Sequence, residues 1–234
     1  MIKGIIFDYG GTIDSRGDHW SEVIWRGYRA AGVDVSKEAF RDAYVKVERE
    51  LAVTRHILPH HTFRDLMDIK MRLELEALAA EGLVSHDEAA RKAPDVARYC
   101  YEAARECVEE ARPVLEALAA RYPMVLVSNF YGNVEAVLED FDLRRYFKAV
   151  VESAVVGVRK PDPAIFALGV DALGFKPEEV LVVGDSFRKD IEPAMKLGCR
   201  VAWIKGKGWT AEEDAVEHPS VIGSLAEVID VALN

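Results

Sequence analysis

Five short apolar runs rich in β-branched residues stand out along the chain: GIIFD (4–8), MVLVSN (124–129), AVVES (149–153), VLVVGD (180–185) and CRVAWI (199–204). Runs this short and this continuously apolar predict strands buried on both faces. The later runs alternate with helical stretches, which predicts a parallel sheet with helices on both sides. One helix is expected to open at Asp162-Pro163, a capping acceptor followed by proline, and to end near Gly174. Another runs from about Arg188 to Leu197 and stops at Gly198, a residue suited to a left-handed cap.

More than a hundred residues separate the first two runs, with hardly any strand signal. Trp20, Val23, Ile24, Gly27, Tyr28 and Ala31 share one helix face, and Ser85-His86-Asp87-Glu88 has the form of a capping box. The expected architecture is α/β. A core from residues 1–14 and 106–234 carries an all-helical cap, residues 15–105, inserted after the first strand.

The chain has 234 residues, half of them hydrophobic, enough for one sizeable core plus a subdomain. Its formal charge of -10 and the lack of a basic tract argue against nucleic acid or anionic lipid as partners. There is no apolar run of membrane-spanning length, and MIKGIIFDYGG opens a strand without a signal-cleavage pattern. A cytoplasmic protein without membrane association is expected. Cys100 and Cys107 lie seven apart in a helical stretch, roughly 10 Å of rise, too far to pair within one helix. With Cys199 they read as buried or free thiols, suited to a reducing compartment.

Three of the apolar runs end in polar residues: Asp8, Ser128-Asn129 and Asp185. In an open parallel sheet the carboxyl ends of the strands form the ligand crevice, so these residues can converge. The plainer alternative is that each merely caps the following helix or turn.

FDYGGTID, VSN, RKPDP and GDSFRKDI, in this order and with a helical insertion after the first, resemble the four motifs of the haloacid dehalogenase superfamily of hydrolases. The resemblance covers nearly the whole chain and implies a Rossmann-like core. It implies Asp8 as the nucleophile of a phosphohydrolase, forming an aspartyl-phosphate by taking the phosphoryl group from a small phosphorylated substrate. It also implies Mg²⁺ held by Asp8, the main-chain carbonyl of Gly10 and Asp185. A carboxylate attacks a phosphate dianion only where fixed positive charge offsets their repulsion, and an oxygen-only ligand set suits Mg²⁺. Lys160 matches the cation that bridges nucleophile and phosphate, and Ser128 the hydroxyl that holds a phosphate oxygen. Asn129 either adds a donor or closes the turn. Asp190 matches the second acid of the fourth motif, orienting Lys160 or metal-bound water, and it equally suits the first turn of a helix. Thr12 is expected to steady the loop and donate to phosphate, Asp14 to bind backbone near the cap hinge, and Gly11 to let N–H groups approach an anion. Arg159 is expected to point elsewhere.

Phosphatases of this superfamily carry a second Asp where this chain has Gly10. That Asp protonates the leaving group, help worth about 10² to 10⁴ in rate. Its absence points to leaving groups that depart without a proton, such as acyl or aryl groups. Two other readings follow from the same gap. One is a C–P hydrolase similar to phosphonoacetaldehyde hydrolases, with Lys37, Lys46 or Lys70 as Schiff base; the other is a phosphate-binding or interaction protein with little turnover. Tyr9 is one further source of a proton, although strand alternation turns it away from Asp8. The stretch TRHILPHHTFR, with His56, His60 and His61 beside Arg55 and Arg64, is either a donor from the cap or a polar loop.

Overall fold

The computed structural model describes residues 1–233. Six parallel strands form one sheet: β1 (Gly4–Phe7), β2 (Met124–Ser128), β3 (Ala149–Glu152), β4 (Val180–Gly184), β5 (Arg200–Ile204) and β6 (Val221–Ile222), ordered β3-β2-β1-β4-β5-β6. Strands β1, β2 and β4 are buried along their whole length, as their unbroken apolar runs require. Strand β6, only two residues long, carries no apolar run and escapes sequence reading.

Helices α1 (Trp20–Ala30), α2 (Lys37–Val53), α3 (Phe63–Ala80) and α4 (His86–Ala119) form the insertion after β1. The core carries α5 (Val134–Asp140), α6 (Ser153–Val156), α7 (Ala164–Leu173), α8 (Glu192–Leu197), α9 (Ala211–Asp214) and α10 (Glu227–Leu233). Helix α4 is continuous across position 105, so the sequence boundary falls inside a helix that enters the core. Its start is half of the expected box: Ser85 Oγ accepts from Glu88 N–H, while the Glu88 side chain pairs with Lys92. The full capping box lies at Thr62 and Asp65, at the start of α3.

Helix α7 ends at Gly174 and α8 at Gly198, both left-handed. Before α8, Phe187–Ile191 form one wide π-type turn, and Ser186 Oγ caps it by accepting from Lys189 N–H. All three cysteines are free and buried. Among the described residues no helix is long and apolar enough to cross a membrane.

A crevice at the switch point and its candidate active site

The strand order reverses between β1 and β4, and at such a switch the loops leave the sheet in opposite directions and open a crevice. Asp8 follows β1 and Asp185 follows β4, in register through Phe7 and Val183, with Asp8 N–H donating to the Val183 carbonyl at 2.9 Å. One oxygen each from Asp8, Asp185 and Asp190 fall within 4.8 Å of one another.

Lys160 reaches this cluster from the loop before α7. Its side chain is 3% exposed, and its ammonium lies 2.8 Å from Asp8 Oδ1 and 2.6 Å from Asp190 Oδ1. Burial works against the ammonium, but Asp190 and Asp8 outweigh it and hold its pKa above the ordinary value. The backbone of Lys160 is pinned by both ends of the Asn129 amide: Oδ1 accepts from its N–H at 2.9 Å and Nδ2 donates to its carbonyl at 3.1 Å. Asn129 thereby fixes the cation and has its amide occupied. Asp190 is held by the Ser186 N–H at 3.0 Å as well as by Lys160.

Asp185 has more negative than positive neighbours. Burial, then Asp190 and Asp8, push its carboxyl well above the usual range. Thr12, fully buried, donates to it at 3.1 Å, and Trp203 Nε1 donates to its carbonyl at 2.6 Å. Three carboxylates around one ammonium leave a charge deficit that a divalent cation would fill. The backbone of the first loop agrees: the carbonyls of Tyr9 and Gly11 accept within the loop, whereas no donor among the described residues reaches that of Gly10. The donor set fits Mg²⁺, with Asp8, Gly10 and Asp185 as oxygen ligands.

Gly11 is needed for a reason other than the expected one. Its N–H is used by Asp14 Oδ1 at 2.7 Å, its φ is +95°, and a Cβ there would fall 2.3 Å from the Asp185 carboxyl. Gly10 has ordinary space: a Cβ would meet only the Trp20 indole edge, at 3.8 Å. Trp20 Nε1 donates to both Asp14 oxygens at 3.1 Å, and burial lifts Asp14 to about 7. Ser128, at the end of β2, is 1% exposed. Tyr9 turns away from the cluster and packs edge-on against Phe130 and Phe63.

A cavity of about 420 Å³ opens from Asp185 and Ser186 towards the cap. Tyr44, Glu48 and Arg49 of α2 line it, opposite Lys189 and Trp209 of the core. Arg159 also lines it, contrary to expectation, because the turn that buries Lys160 leaves its neighbour on the rim. None of His56, His60 and His61 is on this wall: His56 pairs with Glu50, and His61 accepts from Leu58 N–H within its own loop. His19 is on the wall, but burial drives its pKa down to about 3, so it is a neutral hydrogen-bonding group at pH 7.

The model of haloacid dehalogenase-like hydrolases matches residues 2–198. The chain belongs to this family. It is 29% identical over 203 residues to a glyceraldehyde 3-phosphate phosphatase of Methanopyrus kandleri, covering 85% of this chain and 82% of that one. It is 36% identical over 86 residues to a phosphoserine phosphatase of Thermus thermophilus, but that match spans only 34% of the relative's length and 37% of this chain. Among solved structures, the HAD-hydrolase YfnB of Bacillus subtilis, crystallised with magnesium, superposes with a TM-score of 0.63 at 16% identity, covering 100% of this chain and 99% of that one. At that identity the likeness concerns the fold.

Membership explains why strand-end carboxylates and a buried lysine converge in a hydrolase. It does not account for Glu48 or for its partners Lys70 and Tyr131, which sequence reading missed as a site. The available signal was the apolar stripe of α3, Leu66, Met67, Met71, Leu75 and Leu78, interrupted by Lys70 and Glu74, all of them buried. Charged residues at core positions of a helix need a reason.

Proposed function

We propose that this protein is a Mg²⁺-dependent phosphohydrolase that acts on a small phosphorylated metabolite, with Asp8 as nucleophile. The observation that carries this is the gathering of Asp8, Asp185 and Asp190 with oxygens within 4.8 Å of one another, Asp8 and Asp190 both paired with the Lys160 ammonium, at the switch point of the sheet. The phosphatase names of relatives in the same family support it.

In this reading Asp8 attacks phosphorus and the ester oxygen departs, leaving an aspartyl-phosphate that water then hydrolyses. Lys160, fixed by Asn129 and Asp190, pairs with Asp8 and meets the incoming phosphate oxygens. The Ser128 hydroxyl donates to the phosphate, and Thr12 keeps Asp185 turned towards the site. A bound Mg²⁺ would supply the positive charge that lets two anions approach. With no carboxyl at position 10, the departing oxygen receives no proton from the first loop. Turnover is therefore expected to be fastest with acyl and aryl phosphates.

A Schiff-base mechanism has less support, because such a lysine must attack as a neutral amine. Lys37 and Lys46 pair with Glu22 and Glu81, and Lys70 is held protonated beside Glu48. The test is steady-state phosphate release from an aryl phosphate, with acid-quench trapping of a phosphoenzyme. Release and trapping should both vanish with Asp8→Asn and with chelation. Pure, folded protein that releases no phosphate and traps no phosphoenzyme from any activated phosphate would leave only the binding-protein reading.

A further inference from the structure

The cap buries a lysine behind one side chain of the cavity wall. Lys70 of α3 is 3% exposed; its ammonium is ion-paired with Glu48, lies 3.4 Å from the Tyr131 hydroxyl and sits 4.7 Å from the centre of the Tyr44 ring. Tyr131, from the core loop after β2, donates its hydroxyl to both Glu48 oxygens at 2.9 and 3.2 Å. That loop is itself anchored, since Gly132 N–H donates to the buried Glu152 carboxylate and Asn133 Nδ2 to the His61 carbonyl at 2.8 Å.

Glu48 is therefore gripped from behind by an ammonium and a phenol, while its side chain keeps 32% exposure on the cavity side. For folding alone this is a poor solution, because a methionine or leucine at position 70 would fill the stripe without desolvating a charge. What the arrangement achieves is orientation: a carboxylate locked in place on the wall of the crevice that contains Asp185 and Ser186. The charge is already balanced by Lys70, so the group acts as a hydrogen-bond acceptor more than as a free anion. The same cavity presents Arg49, Arg159, Lys189 and Lys205 as well as the acids Asp185, Glu213 and Asp214, so its wall is mixed in charge and rich in hydrogen-bonding groups.

We propose that Glu48 is a specificity-determining residue whose carboxylate accepts a hydrogen bond from a hydroxyl on the non-transferred part of the substrate, with Lys70 and Tyr131 positioning it. The substrate class is a phosphorylated compound with at least one further hydroxyl. This rests on the phosphohydrolase reading, but it concerns the far end of the substrate, so binding is the readout and turnover is not needed.

The experiment uses Asp8→Asn protein with Mg²⁺ and calorimetric titration with inorganic phosphate, glycerol 3-phosphate and propyl phosphate, the last having the same carbon chain without hydroxyls. Glycerol 3-phosphate should bind about tenfold or more tightly than propyl phosphate. Glu48→Ala should bring that ratio close to one, Glu48→Gln should keep part of it, and Lys70→Met, which leaves Glu48 present but unheld, should lower it. Equal affinity for the two esters, or a ratio that Glu48→Ala leaves intact in a folded variant, overturns the proposal while phosphate binding stands. If inorganic phosphate itself does not bind, the phosphohydrolase reading falls and this inference falls with it.

Discussion

Lys160 in the core and Lys70 in the cap are equally buried and each is ion-paired with a carboxylate, yet the charge around them differs. Lys160 is ion-paired with Asp8 and Asp190, and a third acid, Asp185, has an oxygen within 4.8 Å of theirs. Lys70 faces Glu48 and a second acid, Glu74, which burial lifts to about 8, so that it is mostly protonated at neutral pH. For Glu48 itself burial pushes upward, but Lys70 and the bonds from Lys70 and Tyr131 outweigh it and keep the carboxyl ionised. The first cluster carries a surplus of negative charge that draws a cation; the second is closed and needs none. A buried lysine alone therefore says little about chemistry, and the balance of its neighbours says much more.

The strongest way to break this comparison is to remove each lysine. Lys160→Met should lower phosphate release from an aryl phosphate by a factor on the order of 10³ or more, since on the proposed mechanism Asp8 and the phosphate would lose a shared cation. Retention of a tenth of the activity would show that Lys160 is structural. The charge surplus also predicts that Mg²⁺ stabilises the fold. At a hundred times its dissociation constant the gain should be about 2.7 kcal/mol, read as a rise in melting temperature. Asp185→Asn should abolish that shift and Lys70→Met should leave it in place; an equal shift in wild type and Asp185→Asn would place the cation elsewhere.

The closed cluster has its own signature in pH. Glu74 has a folded pKa near 8 against an ordinary 4.5, so the unfolded chain loses its proton first and stability falls as pH climbs through that window. Glu74→Gln, which cannot ionise, should gain on wild type by on the order of 2 kcal/mol between pH 5 and pH 8 in urea denaturation. A difference that does not change over this range would mean that Glu74 is ionised in the folded state.

The two clusters also differ in how far the sequence reveals them. Asp8, Ser128 and Asp185 end apolar runs, and the alternation of those runs with helices already places them on one edge of a parallel sheet. Lys160 could be singled out because the residue after it is proline and the motif lies between two strands. Glu48, Lys70 and Tyr131 come from α2, α3 and a core loop, and they meet only because the cap docks on the sheet, a geometry that no local periodicity encodes. Arg159, expected to point elsewhere than Lys160, lines the cavity because adjacent side chains in an irregular turn need not diverge. Position 105 was unreadable as a boundary because α4 crosses it without a break, and its helical pattern is the same on both sides.

Gly10 is where the comparison can be sharpened most finely. On the proposed mechanism the core cluster has what attack requires, Asp8 held beside the Lys160 ammonium, but the first loop would offer nothing to protonate the departing oxygen. Since a Cβ at position 10 would meet only the edge of Trp20, at 3.8 Å, Gly10→Asp should fold. Its carboxyl would enter a region where Asp14, already lifted to about 7 by burial, lies behind the Trp20 indole. That surrounding favours the protonated form that a general acid needs. Turnover of an alkyl phosphate should therefore rise by about tenfold, nearer the low end of what such a group contributes, because Trp20 occupies part of the approach. Aryl phosphate turnover should change far less, since that leaving group departs without a proton. If both substrates gain equally, the new carboxylate is acting on attack or metal binding; if neither gains in a folded variant, another group already supplies the proton.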